Sequence, residues 1–290
     1  MSKLALGTAQ FGLNYGVANK LGKIEFPVAK LIIRLAQDEK INLIDTAFTY
    51  GESETTIGKI GIRDFKIVSK LPEIPKECQN VESWINNEVN KCLNRLQCKS
   101  LYGLLIHQTK NLIEKKNDLK INELNKLKSC KLVEKLGVSI YDPNELDHLK
   151  NVMEIDIVQA PLNIIDRRLE KSGWLSKLHK KGIEVHTRSS FLQGLLLMPR
   201  AKIPSKFNRW SKIWDSWSQE LEKNNLDAAS VCLSYPLSLP EVSRVIVGVD
   251  SFEQLKSLIL ASNTNVEKRD WSFMESSDLN LINPSNWEVL

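Results

Sequence analysis

Eight short apolar runs, each followed by a longer segment with helical hydrophobic spacing, constrain the fold of this chain most strongly. The runs occupy residues 4–7, 42–45, 66–69, 102–106, 136–139, 157–159, 183–186 and 245–247. The helical patterns cover residues 27–40, 52–60, 81–96, 119–129, 143–150, 168–181, 205–225, 228–235 and 252–261. Strands that alternate with helices pair in parallel through right-handed crossovers, and eight such units close into a barrel. The sequence therefore predicts an α/β protein with a (β/α)8 TIM barrel.

An open doubly wound sheet is the alternative fold for the same alternation. That fold carries a Gly-x-Gly-x-x-Gly turn after its first strand. Here the first strand runs into Gly7-Thr8-Ala9-Gln10-Phe11-Gly12, in which the glycines are spaced differently. The sequence has no linker, low-complexity tract or clear repeat, so we predict one domain over residues 1–290.

Composition and charge narrow the class of partner. Hydrophobic residues make up 42% of the chain and charged residues 26%, which is typical of a soluble globular protein. Its apolar runs are far shorter than the ~20 residues that span a bilayer, and the N-terminus has no signal-peptide pattern. We expect a cytoplasmic protein with no membrane partner. The net charge of +5 comes with lysines at helical spacing, which indicates solvated helix faces and no nucleic-acid partner.

Cysteine and histidine spacing argues against a metal site. The five cysteines are odd in number and include no Cys-x-x-Cys pair, so neither a disulfide framework nor a zinc site is expected. His148, His179 and His186 have no metal-ligand spacing. We expect no bound metal.

Titratable residues close three successive predicted strands. Asp45 ends the second strand and Tyr50 follows five residues later, Lys70 ends the third, and His107 ends the fourth. Each of the four residues also has a purely structural interpretation. Asp45 could cap the following helix, and Lys70 could be a charge at the rim. His107 could be a hydrogen-bonded core histidine, and Tyr50 could pack with its hydroxyl in water. Active sites of (β/α)8 barrels lie at the C-terminal ends of the strands. The four residues together therefore predict an active site.

The contexts Asp45-Thr-Ala-x-x-Tyr50-Gly, Ser-Lys70 and Leu-Ile-His107 resemble the catalytic tetrad of the aldo-keto reductases. The resemblance implies an NAD(P)H-dependent oxidoreductase that reduces an aldehyde, ketone or sugar carbonyl, or runs in reverse, with Tyr50 as general acid/base. A tyrosine pKa near 10 is poorly matched to neutral pH, and a neighbouring ammonium lowers it. We therefore expect Lys70 to lower the pKa of Tyr50, Asp45 to hold Lys70, and His107 to donate to the carbonyl oxygen.

The same resemblance implies the cofactor-binding residues. Gly7 and Thr8 would lie beneath the nicotinamide, while Ser139 and Gln159 would bind its carboxamide, although Ile140 stands where many members have asparagine. Arg188, with Ser189 beside it, stands where the family has a stacking aromatic, and a planar guanidinium can also stack. An alternative is that Arg188 only pairs with a loop carboxylate. After the last strand, the residues implied are Gly248, Ser251 and Gln254.

Asp250 leaves the choice of nicotinamide cofactor open. Members of the family usually prefer NADP(H) to NAD(H), and a basic residue near this position usually binds the 2′-phosphate of NADP(H). Asp250 would repel that phosphate, unless it forms a capping box with Glu253 and turns away from the ligand.

Trp210, Trp214 and Trp217 have helical spacing, which fits either packing on the barrel or a wall of the substrate pocket. Trp271, Phe273 and Trp287 could bring the C-terminal tail to the barrel mouth. We expect a small carbonyl or sugar as substrate. Two other functions remain open: a nucleotide-binding regulatory barrel with little turnover, and an aldolase or isomerase that uses Lys70 as a Schiff base. The sequence does not determine the oligomeric state.

Overall fold

Eight parallel strands form a closed barrel in chain order. The computed structural model describes residues 2–112, 117–267 and 269–289. Each strand pairs with its neighbours in the sequence, and the first closes on the last. The strands are β1 Leu4–Gly7, β2 Leu43–Asp45, β3 Lys66–Leu71, β4 Leu101–Ile106, β5 Val133–Ser139, β6 Ile157–Pro161, β7 Glu184–Arg188 and β8 Arg244–Gly248. The predicted (β/α)8 barrel is confirmed, and the open doubly wound sheet is wrong. The single domain over 1–290 stays a prediction.

Helices surround the barrel because each has one apolar face. They are α1 Phe26–Asp38, α2 Ser53–Ile60, α3 Val81–Leu96, α4 Asn117–Ser129, α5 Glu145–Leu149, α6 Arg168–Lys171, α7 Trp174–Lys180, α8 Ser211–Lys223, α9 Ala228–Ser238, α10 Phe252–Asn263 and α11 Leu279–Ile282. In α3, for example, Ile85, Val89 and Leu96 are buried, at the i, i+4 and i+11 positions of one face.

Several predicted boundaries differ from the structure. The helix expected at 168–181 is two helices, because Gly173 adopts a left-handed conformation with φ of 74° between α6 and α7. The first turns expected at 205–225 form a 3-10 helix, Ser205–Trp210. Strand β3 extends one residue past Lys70, so Lys70 is its penultimate residue.

The tryptophans belong to the core. Trp210, Trp214 and Trp217 are buried, and Trp214 donates to the carbonyl of Phe207 at 2.9 Å. The C-terminal tail covers this surface, where the Trp271 ring lies 5.4 Å from that of Trp217. None of these rings lines the cavity described below. The packing interpretation is therefore confirmed, and the tryptophan wall of a substrate pocket is wrong.

The register of the barrel brings strand ends together. Gly7 is paired with Asp45 on one side and with Gly248 on the other, and Ser139 is paired with Gln159. The parallel order therefore gathers side chains that are far apart in sequence at one rim. Within the described ranges, no helix has the length and apolarity to cross a membrane, and no cluster of side chains could hold a metal ion.

Candidate active site

A cavity of about 670 Å³ opens at the C-terminal ends of the strands. All thirteen side chains that the sequence analysis assigned to catalysis or cofactor binding line it. They are Gly7, Thr8, Asp45, Tyr50, Lys70, His107, Ser139, Gln159, Arg188, Ser189, Gly248, Ser251 and Gln254. The barrel therefore brings together one set of residues from all eight strand ends and the loops after them.

A buried ion pair lies at the floor of the cavity. Lys70 Nζ is 2.6 Å from Asp45 Oδ2 and donates to the carbonyl of Thr46 at 2.9 Å. Gln159 Nε2 donates to the other carboxylate oxygen of Asp45 at 2.7 Å. Burial lowers the pKa of Lys70, and the Asp45 carboxylate opposes that shift. The ammonium is thus fixed in position by two acceptors, the Asp45 carboxylate at the end of β2 and the Thr46 carbonyl that follows it, while Gln159 on β6 holds that carboxylate.

Tyr50 lies on a tight turn held against the first loop. Lys70 Nζ is 5.2 Å from the centroid of its ring. A Cβ on Gly12 would come within 1.8 Å of the Tyr50 carbonyl, and Gly51 has a φ of +54°. Only glycine at position 12 therefore permits this close approach, and the sequence analysis did not single out that residue.

The pKa of Tyr50 is raised above its usual value, first by burial and then by the charge of Asp45, while Arg188 opposes the shift. The net lowering of this pKa that was expected from Lys70 is therefore not found, because burial and the Asp45 carboxylate shift the pKa upward. Tyr50 is therefore a neutral phenol at physiological pH. A neutral phenol suits a proton donor to a carbonyl oxygen.

His107 faces Tyr50 across the cavity. The two rings are nearly perpendicular, with centroids 6.3 Å apart. Burial, followed by the charge of Lys70, lowers the pKa of His107 to about 4. The imidazole is therefore neutral near pH 7 and has one N–H to donate.

A second buried network supports the loop that carries Tyr50. Ser53 Oγ donates to the carbonyl of Thr8 at 2.9 Å, and Thr8 Oγ1 donates to the carbonyl of Asp45 at 2.9 Å. Behind them, the buried Glu54 carboxylate accepts from Ser69 at 2.7 Å and pairs with Arg95 at 2.7 Å. The Thr8 hydroxyl is therefore already engaged in holding the Asp45 backbone.

Arg188 extends from the end of β7 toward the end of β5. Its Nη2 donates to the carbonyl of Ile140 at 3.0 Å, and its guanidinium carbon lies 4.3 Å from the centroid of the Tyr141 ring. Among the described residues no carboxylate forms an ion pair with it. The interpretation of Arg188 as the partner of a loop carboxylate is therefore wrong for the described chain.

The turn after β8 is capped differently from the expected capping box. Ser251 is the N-cap of α10 and accepts from the backbone N–H of Gln254 at 3.1 Å. The Gln254 side chain accepts in turn from the backbone N–H of Asp250 at 2.7 Å. The predicted Asp250–Glu253 box is therefore wrong, because the helix begins one residue later. Asp250 lines the cavity, and its Oδ1 is buried without a hydrogen-bond partner.

The loops after β1 and β7 meet across the mouth. The backbone N–H of Ala18 donates to the carbonyl of Gln193 at 3.4 Å, and Gln193 Nε2 lies 3.4 Å from the Tyr15 hydroxyl. Ser189, Leu192 and Gln193 have positive φ, a conformation that costs energy for residues other than glycine and is frequent at functional sites.

Sequence reasoning missed Tyr15, Gln193 and Tyr141, which all line the cavity. Tyr141 lies two residues after the predicted strand end at Ser139, and this position was a usable signal. Tyr15 and Gln193 lie in irregular loops 178 residues apart, and no local pattern identifies them as neighbours.

The chain is similar to known proteins over most of its length. The sequence model described as the aldo/keto reductase family matches residues 3–278. The aldo-keto reductase YhdN of Bacillus subtilis is 26% identical over 187 residues, which cover 59% of this chain and 53% of that protein. The NADH-specific methylglyoxal reductase of Escherichia coli is 24% identical over 310 aligned positions, which cover 94% of each chain.

Solved structures of similar proteins share the barrel. The holo form of an aldo-keto reductase from Bacillus halodurans superposes with a TM-score of 0.74 at 20% identity, covering 92% of this chain and 88% of that one. The glycerol dehydrogenase of Gluconobacter oxydans has a TM-score of 0.69 at 23% identity, covering 98% and 93%. At these identities the likeness extends to the fold alone.

Proposed function

The chain belongs to the aldo/keto reductase family, and from this premise we propose that it reduces a small polar carbonyl compound to an alcohol with a nicotinamide cofactor. The observation that carries the proposal is the convergence of Asp45, Tyr50, Lys70 and His107 on one cavity. The roles below are those that the geometry supports.

The cavity fits a dinucleotide at the β8 end. The unpartnered, buried Oδ1 of Asp250 is an acceptor that a ribose 2′-hydroxyl would satisfy. A 2′-phosphate at the same place would be repelled by the carboxylate. The sequence analysis favoured NADP(H) from family habit, and we now propose NAD(H). The NADH specificity of the Escherichia coli relative supports this choice.

The nicotinamide end would lie near β5 and β6. Gln159 donates its N–H to Asp45, which leaves its side-chain oxygen as the acceptor for a carboxamide N–H. Ser139 is its partner across the strand pair and offers a hydroxyl. When bound, reduced nicotinamide supplies the hydride that the carbonyl carbon receives.

The catalytic residues would then act on the carbonyl oxygen. His107, neutral because of its lowered pKa, donates one N–H and orients the oxygen. Tyr50 transfers its phenolic proton to that oxygen, and the nearby ammonium of Lys70 stabilises the phenolate that remains. Asp45 keeps Lys70 in place. The products are the alcohol and the oxidised cofactor, and solvent reprotonates Tyr50.

The walls of the cavity indicate the class of substrate. Tyr15, Asn19, Tyr141 and Gln193 surround the mouth, and the tryptophans lie elsewhere. These side chains offer hydroxyl and amide groups to hydrogen-bond with a hydroxylated carbonyl compound or a sugar. We therefore propose a polar substrate in preference to an apolar ketone.

Schiff-base chemistry at Lys70 is the weaker alternative. A Schiff-base lysine must be an accessible free amine. The Lys70 side chain is 1% exposed and its Nζ is paired with Asp45. Borohydride in the presence of a carbonyl substrate should therefore leave the mass of the protein unchanged, and an adduct on Lys70 would contradict our assignment.

The first experiment measures nucleotide binding by calorimetry with NADH and, separately, NADPH. We expect both to be measurable and NADH to bind more tightly. If neither NADH nor NADPH binds, the proposed function is overturned. Binding without turnover on a panel of aldehydes and sugars would favour a regulatory barrel.

The second experiment removes the proton donor. Tyr50→Phe should keep NADH binding and lose about 100-fold or more of the turnover, the usual range for a general acid. Tyr235→Phe is the matched control, because that hydroxyl contacts Glu170 outside the cavity. Equal turnover of the Tyr50→Phe variant and the wild type would contradict the role of Tyr50.

A further inference from the structure

Arg188 is a cation held in a defined place beside the proposed nicotinamide site. Its Nη2 bonds to the carbonyl of Ile140, the residue that follows Ser139, and its plane packs on Tyr141. Its backbone is paired with Pro161 at the end of β6, two residues beyond Gln159. The guanidinium is therefore held where β5 and β6 end, the two strands that carry the residues that we propose to bind the carboxamide.

The charge of Arg188 is not neutralised by a neighbouring carboxylate. In the described chain it has no ion-pair partner, and the buried carboxylate of Asp45 is already paired with Lys70. Its charge acts at Tyr50 and His107, since it opposes the rise in the pKa of Tyr50 that burial causes and adds to the lowering of the pKa of His107 by burial and Lys70. A ligand at this end of the cavity will therefore experience a net positive charge from Arg188.

We propose that Arg188 makes the cavity bind the reduced nicotinamide more tightly than the oxidised one, an inference that rests on the proposed function. NADH carries a neutral dihydropyridine ring. Loss of a hydride, with two electrons, leaves a pyridinium ring with one positive charge. The positively charged guanidinium repels the pyridinium ring but not the neutral dihydropyridine ring. Arg188 therefore discriminates between the two redox states of the cofactor.

The preference for NADH over NAD⁺ affects the exchange of cofactor between catalytic cycles. After the carbonyl is reduced, repulsion from Arg188 helps the oxidised cofactor to leave and weakens its inhibition of the next cycle. The same repulsion opposes the positive charge that develops during hydride transfer, so Arg188 does not accelerate the chemical step. Arg188 is thus a specificity-determining residue for redox state and favours turnover in the direction of reduction.

The test compares dissociation constants of NADH and NAD⁺ by calorimetry for the wild type, Arg188→Gln and Arg188→Lys. The Kd of NAD⁺ divided by the Kd of NADH should fall about tenfold in Arg188→Gln, the scale of a partly screened charge at close range. For a two-electron couple this change is about 30 mV in the potential of the bound cofactor. Arg188→Lys keeps the charge without the planar group, so it should retain most of the ratio if charge decides.

A measurement on the wild type alone provides a second check. Raising the salt concentration should reduce the preference for NADH over NAD⁺, because salt screens a partly exposed charge. The pyrophosphate is common to both nucleotides, so its own salt dependence cancels in the ratio. This check does not depend on the folding of any variant.

The outcomes separate the two proposals. An unchanged ratio in Arg188→Gln, or a wild-type ratio indifferent to salt, would overturn the role of Arg188 and leave the proposed function standing. A ratio lost equally in Arg188→Lys and Arg188→Gln would show that stacking decides, which also contradicts our inference. Failure of the wild type to bind NADH or NAD⁺ at all would overturn the proposed function itself.

Discussion

The carboxylate of Asp250 illustrates how single residues tune this site. Its Oδ1 is buried without a partner, and burial raises its pKa. The N-cap of the next helix is Ser251, and Asp250 contacts that helix through Gln254, which accepts from its backbone N–H. A buried acceptor without a donor is costly, and a ligand hydroxyl would relieve that cost.

At this scale we predict the effect of Asp250 on the choice of cofactor. Asp250→Arg should shift the ratio of NADPH to NADH affinity toward NADPH by about tenfold or more, because repulsion is replaced by a charge-assisted phosphate contact. Asp250→Asn removes only the charge and should give a smaller shift in the same direction. Calorimetric titration with both nucleotides measures each ratio. Unchanged ratios in both variants would mean that Asp250 does not face the ribose.

At the scale of secondary-structure elements, Glu54 connects α2, β3 and α3 behind the loop that carries Tyr50. It lies on α2, accepts from Ser69 on β3, and pairs with Arg95 on α3. The thiol of Cys92 also contacts Glu54 Oε1 at 3.1 Å, and burial raises the pKa of that thiol. These contacts fix the start of α2, and with it the turn that carries Tyr50.

Glu54→Gln should lower the free energy of unfolding by about 2–4 kcal/mol, since it leaves a guanidinium without its buried partner. Glu52→Gln is the matched control, because Glu52 pairs with Lys23 in solvent two residues earlier on the chain. Denaturant unfolding of both variants measures the difference. Similar unfolding midpoints for the two variants would contradict the stabilising role of Glu54.

At the scale of the whole molecule, the two ends of the barrel have different tasks. The residues that we propose to be catalytic lie at the C-terminal ends of the strands. At the N-terminal ends, Glu184 on β7 accepts from Tyr102 and Lys135 at 2.6 Å each and contacts His186 at 3.0 Å. Burial opposes ionisation of Glu184, but bonds from His186, Lys135 and Tyr102 outweigh it and hold its pKa below the usual range. This network closes the bottom of the barrel.

Glu184→Gln should destabilise the protein by about 2 kcal/mol at pH 7 while the folded enzyme keeps its turnover. A carboxylate with a depressed folded pKa stabilises above its unfolded pKa, about 4.3, and that contribution fades as the pH falls through the folded pKa. The gap from the wild type should therefore shrink between pH 7 and pH 3 in denaturant unfolding.

Glu134→Gln, an exposed change on β5, should show no such gap at either pH. A gap for Glu184→Gln that is independent of pH would contradict the electrostatic explanation. Lost turnover of the folded Glu184→Gln variant would contradict the separation of the two ends.

The sequence by itself determined the barrel and many of the residues that line the candidate site. Hydrophobic periodicity is local, and each strand end can be read from where an apolar run stops, so Asp45, Lys70 and His107 were identifiable without coordinates. Parallel closure then required those ends to meet at one rim. The cofactor residues came from a motif resemblance, and their lining of one cavity agrees with it.

Only the tertiary structure decided properties that depend on what packs around each residue. The raised pKa of Tyr50 follows from burial and from the nearby charge of Asp45, neither of which the order of residues reveals. The cap at Ser251 and the exposure of Asp250 to the cavity depend on a one-residue difference in where a helix begins. The contact of Tyr15 with Gln193 joins two loops that only barrel closure brings together. Burial, charge compensation and loop contacts all depend on residues that are distant in the sequence and close only in the fold. The order of residues does not show which of them become neighbours.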